Sequence, residues 1–281
     1  MKKLVSVLLS VLLIAAVFSG CSSGKGEKYS DSVLIIGYTE SAAPFLEVSE
    51  DGKATGFYAD LWDAIFESVK GDFKTYRFEK VEEGYALEDD GGFFDSNDKE
   101  YSASLLMGDV HKNSSTFNED YSFTEPVVTN RVIAVTKKGG KISSYNDLKG
   151  ANAVTAGDYA KEALNKNFAI TSLCKSIKAA KLDEALSLLD SGKADVVVTD
   201  EFTFNPSGKA ESYTVLAGEL DRQEYVIACA KYSGWKDSIN EAIYEYRSAE
   251  YNKNGDEFTP LVEKYFGYNA SSFDYEPEGS K

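Results

Sequence analysis

A single histidine, His111, stands in 281 residues, and only three cysteines accompany it. One histidine cannot build a Ser-His-Asp or Cys-His set and leaves no His/Cys cluster for a metal, so no catalytic triad, metal site or cofactor is expected. Basic residues are also in short supply: 30 Lys and Arg face 46 Asp and Glu, for a formal charge of −16. Phosphate binding needs a clustered basic surface, and none is present, which argues against a nucleic-acid partner. KKGGK at 137–141 lacks the GxxxxGK[ST] spacing of a phosphate loop and reads as a turn. No internal repeat, coiled coil or low-complexity tract appears. What is plentiful is core material: 43% hydrophobic and 13% aromatic residues suffice for one large or two smaller domains.

The longest apolar run, Leu4 to Phe18, is too short for the roughly 20 residues of a membrane-spanning helix, and it follows Lys2 and Lys3 as an export signal would. It ends in FSGC. Ser19 and Gly20 before Cys21 resemble the bacterial lipobox, in which cleavage precedes a lipid-bearing cysteine; Phe18 replaces the usual Leu. Residues 1–20 are therefore read as a lipoprotein signal peptide, Cys21 as the lipidated residue, and 21–30 as a flexible tether. An ordinary cleaved signal is the alternative. The remaining cysteines, Cys174 and Cys229, lie in apolar surroundings and are expected to be buried free thiols, since sequence alone cannot bring their Cα atoms into bonding range.

Short apolar runs at 33–38, 131–136, 151–157, 194–200 and 225–231 show no alternation and read as strands buried on both faces. Helical spacing recurs in GFYADLWDAIFESV and in LDEALSLLDSG, the latter closed by Gly192 as a C-cap; two more helices fall near the C-terminus. Strands alternating with helices define an α/β fold with largely parallel sheets. EEGYALEDDGGFFDSNDKEY, 82–101, has no apolar period and reads as an irregular acidic excursion, a solvated loop being the plainer interpretation. The tail from 269 to 281 is polar and acidic and is expected to be disordered.

Several segments, in order, resemble the bacterial extracellular solute-binding proteins of the polar amino-acid family, lipoprotein receptors of ABC importers. APFLEVSEDGKATGFYADLWDAI is similar to the family's PF, G and GFxxDL opening. YSFTEP at 121–126 is similar to VDFSxPY. YNDLKG at 145–150, ALSLLDSGKADVVVTDE and VEKYFG match later motifs. The resemblance spans 33–267. It implies a two-lobed flytrap of the periplasmic-binding-protein type, each lobe a mostly parallel sheet flanked by helices, with two hinge crossings near TEPVVTNR and RQEYVIA. Lobe 1 would hold 31–128 with 229–268, and lobe 2 would hold 129–228. The implied function is capture of a small polar solute, with an amino acid or derivative as the leading class. The protein would be monomeric, extracytoplasmic and membrane-bound through its lipid alone, delivering to an ABC permease with its ATPase.

The resemblance also nominates site residues. Asp200, ending ADVVVTD, would hold an α-ammonium, with helix capping as the competing role. TAGDYA can present backbone N–H groups to an anion; Gly157 is kept, while Asp158 and Tyr159 replace hydroxyl residues, and Asp158 would turn away to cap the helix. Tyr38 and Glu40 stand near the position of an aromatic wall that this chain fills with Ala42 and Ala43; Tyr85, Phe93 or Phe94 could supply the wall instead. The family's Thr-x-x-Arg, whose Arg grips a carboxylate, is missing from GDVHKNSSTFNEDYSFTEP. Counting back from Phe123 puts Ser114 and Phe117 at the Thr and Arg positions, and counting from Gly108 puts Thr116 at the Arg. Asp109 belongs to the same stretch, and His111, Lys112 and Arg131 are the nearest replacements for the charge. Lys112 could equally be a solvated side chain and Arg131 a hinge brace, and His111, with an unperturbed pKa near ~6.5, is expected to be neutral.

Two other functions compete. A dehydratase-like enzyme on the same scaffold would need the missing substrate-binding Arg. A sensor that reports lobe closure would need a separate membrane protein. Neither is the leading reading.

Overall fold

A computed structural model describes residues 33–81, 93–94, 100–101, 105–112 and 121–277. Cys21, Tyr85, Ser114, Thr116 and Phe117, with the signal and tether, lie outside the described residues.

Two sheets organise the chain. The first has the order β4-β1-β7-β15-β8, from β1 (Val33–Tyr38), β4 (Thr75–Lys80), β7 (Leu105–Leu106), β8 (Tyr121–Phe123) and β15 (Ala228–Ala230). Two two-residue pairs, β2 (Glu47–Val48) with β3 (Ala54–Thr55) and β5 (Phe93–Phe94) with β6 (Glu100–Tyr101), stand apart. The second sheet has the order β11-β10-β12-β9-β13, with β14 also on β9. Its strands are β9 (Val128–Lys137), β10 (Asn152–Ala156), β11 (Ser176–Ala179), β12 (Val196–Asp200), β13 (Tyr213–Val215) and β14 (Asp221–Tyr225). Both sheets are mostly parallel in strand direction, as expected, each with one strand of opposite sense. β4, β1, β7 and β8 run one way, as do β11, β10, β12, β13 and β14, and only β15 in the first sheet and β9 in the second run against them. A strand that enters a lobe from its neighbour runs against strands laid down by βαβ units.

The run YVIACAK, expected as one strand, is divided between the sheets. Tyr225 ends β14 and Ala228 starts β15, so Val226–Ile227 form one crossing. The other crossing, Thr124–Val127, lies beside it: Val127 N donates to Tyr225 O (2.9 Å), Thr124 N to Ile227 O (3.1 Å), and Ile227 N to Thr124 Oγ1 (3.0 Å).

The first sheet is covered by α1 (Phe57–Val69), α6 (Trp235–Arg247) and α7 (Phe258–Phe266); α1 buries Phe57, Leu61, Trp62, Ile65, Phe66 and Val69 at the spacing read from the sequence. Gly56 before it has φ 111°, and a Cβ there would stand 2.7 Å from Phe45 O, so only glycine lets the chain turn into the helix. The second sheet is flanked by α2 (Asp158–Lys166), the short α3 (Phe168–Thr171) and α4 (Leu182–Asp190). Gly192, one residue past the Ser191 C-cap, has φ 72°. Among the described residues no helix is long and apolar enough to cross a membrane.

Two further expectations change. The excursion at 82–101 is not wholly irregular, since β5 and β6 pair, Phe93 with Tyr101. The tail is not disordered as far as residue 277. Ser271 bridges Val128, Thr129 N donates to Ala270 O, and Phe273 is 3% exposed, with its carbonyl accepting from Arg247. A polar average concealed two apolar anchors, Ala270 and Phe273. Cys174 is half-buried and Cys229 buried, both free; burial pushes both thiols up.

Candidate functional site

The crossing strands carry a cluster drawn from both lobes. Val110–Lys112 runs beside the end of β14: Val226 N donates to Val110 O, Lys112 N donates to Glu224 O, and His111 bridges Tyr225. The His111 ring meets Tyr225 edge-on at 6.0 Å. On its other side Tyr225 stacks on Phe45 at 4.3 Å, and its hydroxyl donates to Gln223 Oε1 (3.1 Å). Burial raises the Tyr225 phenol, and the charges of Asp109 from lobe 1 and of Tyr159 and Asp200 from lobe 2 raise it further. Half the cluster thus comes from each lobe, at the carboxyl ends of β7, β10 and β12, where ligands of open α/β sheets bind.

Asp200 is 6% exposed and its hydrogen bonds are those of a cap. It precedes the short α5 (Glu201–Phe204); Oδ1 accepts from Thr203 N (3.0 Å) and Asn130 Nδ2 (3.3 Å), and Oδ2 accepts from Thr203 Oγ1 (2.9 Å). A carboxylate has about four acceptor positions, so one remains on Oδ2. That oxygen faces Gly157, where a Cβ would stand 3.3 Å away and where φ is 99°. Capping and solute binding are therefore compatible at Asp200.

Asp158 does not cap α2, against expectation: it is the first helical residue, exposed, with no side-chain cap bond. Gly157 already holds the N-cap position, so the Asp158 side chain lies one residue too far along to reach back. Tyr159 packs over Val132 with its hydroxyl buried and without a hydrogen-bond partner. Burial raises its phenol, followed by the charges of Asp221, Asp200 and Glu219. His111 Nδ1 is likewise buried and unpartnered; burial lowers the imidazole pKa against the opposing pull of Asp109 and Asp221.

Of the remaining described candidates, Lys112 meets this cluster through its backbone N–H and the others are not part of it. Arg131 cannot stand in for the missing carboxylate grip, because Glu201 takes it bidentately, Nε to Oε2 at 2.7 Å and Nη2 to Oε1 at 2.9 Å. Tyr38 is in the lobe 1 core, its phenol raised by burial and by Glu79. Its Cβ lies 3.9 Å from where a Cβ on Gly108 would stand, so it backs the Gly108–Asp109 turn. Glu40 and Lys112 are exposed. Sequence reasoning missed Tyr225, Asp221 and Asn130, which only strand register brings together. It also missed Phe202 of α5, whose ring reaches Phe266 (4.6 Å), Tyr225 (5.7 Å) and Phe45 (5.9 Å) across the lobe boundary. Among the described residues no group of three or more His, Cys, Asp or Glu could hold a metal ion.

Two sheets joined by two crossings define the two-lobed fold of periplasmic-type solute-binding proteins. Solved structures share it at low identity. One is a polar amino acid ABC uptake transporter substrate-binding protein from Streptococcus thermophilus, with TM-score 0.61 and 22% identity over 85% of this chain and 88% of that one. Another is the L-cystine solute receptor of Neisseria gonorrhoeae in its unliganded open conformation, with 0.59 and 18% over 86% and 96%. A third is an ancestral cationic amino acid solute-binding protein, with 0.53 and 21% over 84% and 96%. No protein-family profile matches the chain, and no curated protein does.

Proposed function

We propose that this chain is the capture component of an ABC importer, an extracytoplasmic lipoprotein anchored through Cys21. It closes two lobes over a small polar solute and passes it, as a monomer, to a membrane permease driven by its ATPase. The observation that carries this reading is the convergence of the two lobes at the crossings, where His111 of lobe 1 bridges Tyr225 at the end of β14 and the Phe202 ring of lobe 2 reaches both Tyr225 and Phe45. Closing such a site encloses the solute, where a charge-assisted hydrogen bond gains strength as water leaves. The names of the structural neighbours, all transport receptors of amino-acid type, support solute capture over the enzyme reading, and the signal-like N-terminus with FSGC supports export and anchoring.

An amino acid or close derivative is the leading solute class. A thermal-shift screen of the protein without its tether, against amino acids, amines, short peptides and sugars, tests this. A solute at 100 times its Kd adds about 2.7 kcal/mol, enough to raise Tm by several degrees. A screen in which no solute of any class moves Tm would remove the capture reading.

A further inference from the structure

The second sheet sorts charge between its two faces. Asp200, Val132 and Asp221 form one rung across β12, β9 and β14, so their side chains leave the same face, the two carboxylates roughly 10 Å apart at twice the strand spacing. The adjacent rung pairs Arg131 with Arg222, and pleating sends both to the opposite face. There each arginine meets acid: Arg131 closes on Glu201, and Arg222 on Glu219 and Glu224. The tail at 269–272 lies against this back face, lining a hollow of about 190 Å³ with Arg131, Arg222 and Tyr268.

The cleft face is left with carboxylates. Among the described residues, the side-chain charges that reach Tyr159, His111 and Tyr225 belong to Asp109, Asp200 and Asp221, with Glu219, which is already paired with Arg222. The stretch 113–120, where the family resemblance leads one to look for an arginine, reads NSSTFNED in sequence and holds none. The N-terminus of α2, the natural seat for an anion, is flanked by Asp158 and by Asp200 Oδ2. Two buried atoms in the same place lack a partner, Tyr159 Oη and His111 Nδ1, and both can accept a hydrogen bond. A zwitterion bound here would bury its carboxylate against like charge, with no cation among the described residues of the cluster to answer it.

Resting on the solute-capture reading, we propose that the solute is an organic cation of amino-acid size that bears ammonium or guanidinium nitrogen and no free carboxylate. Asp200, Asp221 and Asp109 receive its N–H groups, with Tyr159 and His111 as neutral acceptors.

Two matched pairs, agmatine with L-arginine and putrescine with L-ornithine, differ within each pair by the carboxylate alone. Titration calorimetry of the intact chain in detergent is expected to show the decarboxylated member binding at least about tenfold tighter in one pair or both. Asp109→Asn and Asp221→Asn should each weaken that binding by roughly tenfold or more, the scale of one charge-assisted hydrogen bond. Glu184→Gln, an equal charge change at an exposed position on α4, should leave it unmoved. Far-UV circular dichroism of each variant checks that it folds. The inference is overturned if the carboxylate-bearing member binds as well or better in both pairs, or if binding ignores both Asn variants. Silence toward all four probes with binding of a sugar or peptide would overturn the cation and spare solute capture; silence toward every solute would overturn both.

Discussion

The two lobes share a plan and differ in what fills them. Lobe 1 has a large core rich in rings, with Phe57, Tyr58, Trp62, Phe66, Phe258, Phe266 and Phe273 in a single cluster, and a smaller, mainly aliphatic one around Ile35, Leu106 and Val226. The lobe 2 sheet is covered by three smaller clusters of Val, Ile, Leu and Ala, in which Phe204 is the fully buried ring. Rings bury large areas and hold preferred geometries, so one removal damages many contacts. Alanines such as Ala160, Ala163 and Ala185 instead let helices approach a sheet closely, and one of those helices, α2, carries Tyr159. Both tryptophans of the sequence, Trp62 and Trp235, belong to lobe 1, 6.4 Å apart. Their fluorescence therefore reads lobe 1, while far-UV circular dichroism reads both lobes.

The comparison breaks most readily at Phe57, which is fully buried and meets Tyr58, Phe266 and Tyr265 edge-on. Phe57→Ala should cost about 3–5 kcal/mol, read as a lower urea midpoint by tryptophan fluorescence. Leu189→Ala, in α4 of lobe 2, should cost about 2–3 kcal/mol, the low end for such a truncation. Its effect should appear in circular dichroism ahead of fluorescence. If the two probes move together, the lobes unfold as one, held by the crossings and by Phe202 packing on Phe266 and Tyr268.

The fold was legible because its signals are local. Apolar runs without alternation gave the central strands, helical spacing gave α1 and α4, and ordered motifs gave the lobed plan. What escaped was long-range. YVIACAK looks like one strand, and only pairing partners reveal that it changes sheets after Tyr225. Asp221, in LDRQEY, is unremarkable until β9 brings it onto the rung of Asp200, a residue 21 positions earlier in the chain. Arg131 looked available as a cation because its partner, Glu201, is 70 residues away. The tail misled for the reverse reason: a composition average cannot register two buried anchors.

Ion pairs sharpen the contrast at smaller energies. Arg131 holds Glu201 by two hydrogen bonds, and the Glu201 side chain is only 11% exposed, so Arg131→Met leaves a largely buried carboxylate unanswered. A cost of about 1–3 kcal/mol is expected, and it should fall on lobe 2 and show first in circular dichroism. A double variant with Glu201→Gln should recover part of it, because the stranded charge is gone. Failure to recover any would assign the loss to packing of the Arg131 stem.

The smallest effect belongs to the corresponding pair in lobe 1. Asp60 on α1 accepts from Lys264 Nζ (2.5 Å) and Tyr265 Oη (2.6 Å) on α7, tying together two helices that already share a ring cluster. Burial alone would raise its carboxyl, but the two hydrogen bonds outweigh that and hold it below the ordinary aspartate value. With the folded pKa depressed, the stabilisation is present above the unfolded value near ~3.9 and is lost as pH falls through the folded one. The Asp60 side chain is 37% exposed, so solvent screening limits Asp60→Asn to about 0.2–1 kcal/mol at neutral pH. Urea midpoints of the wild type and the variant, followed by tryptophan fluorescence, should therefore differ at neutral pH and converge once pH has fallen through the folded pKa of Asp60. A difference that persisted in acid could not come from charge, since the wild-type carboxyl would then be as neutral as the amide. It would instead mean that the shape of the Asp60 hydrogen bonds, rather than their ionisation, joins α1 to α7.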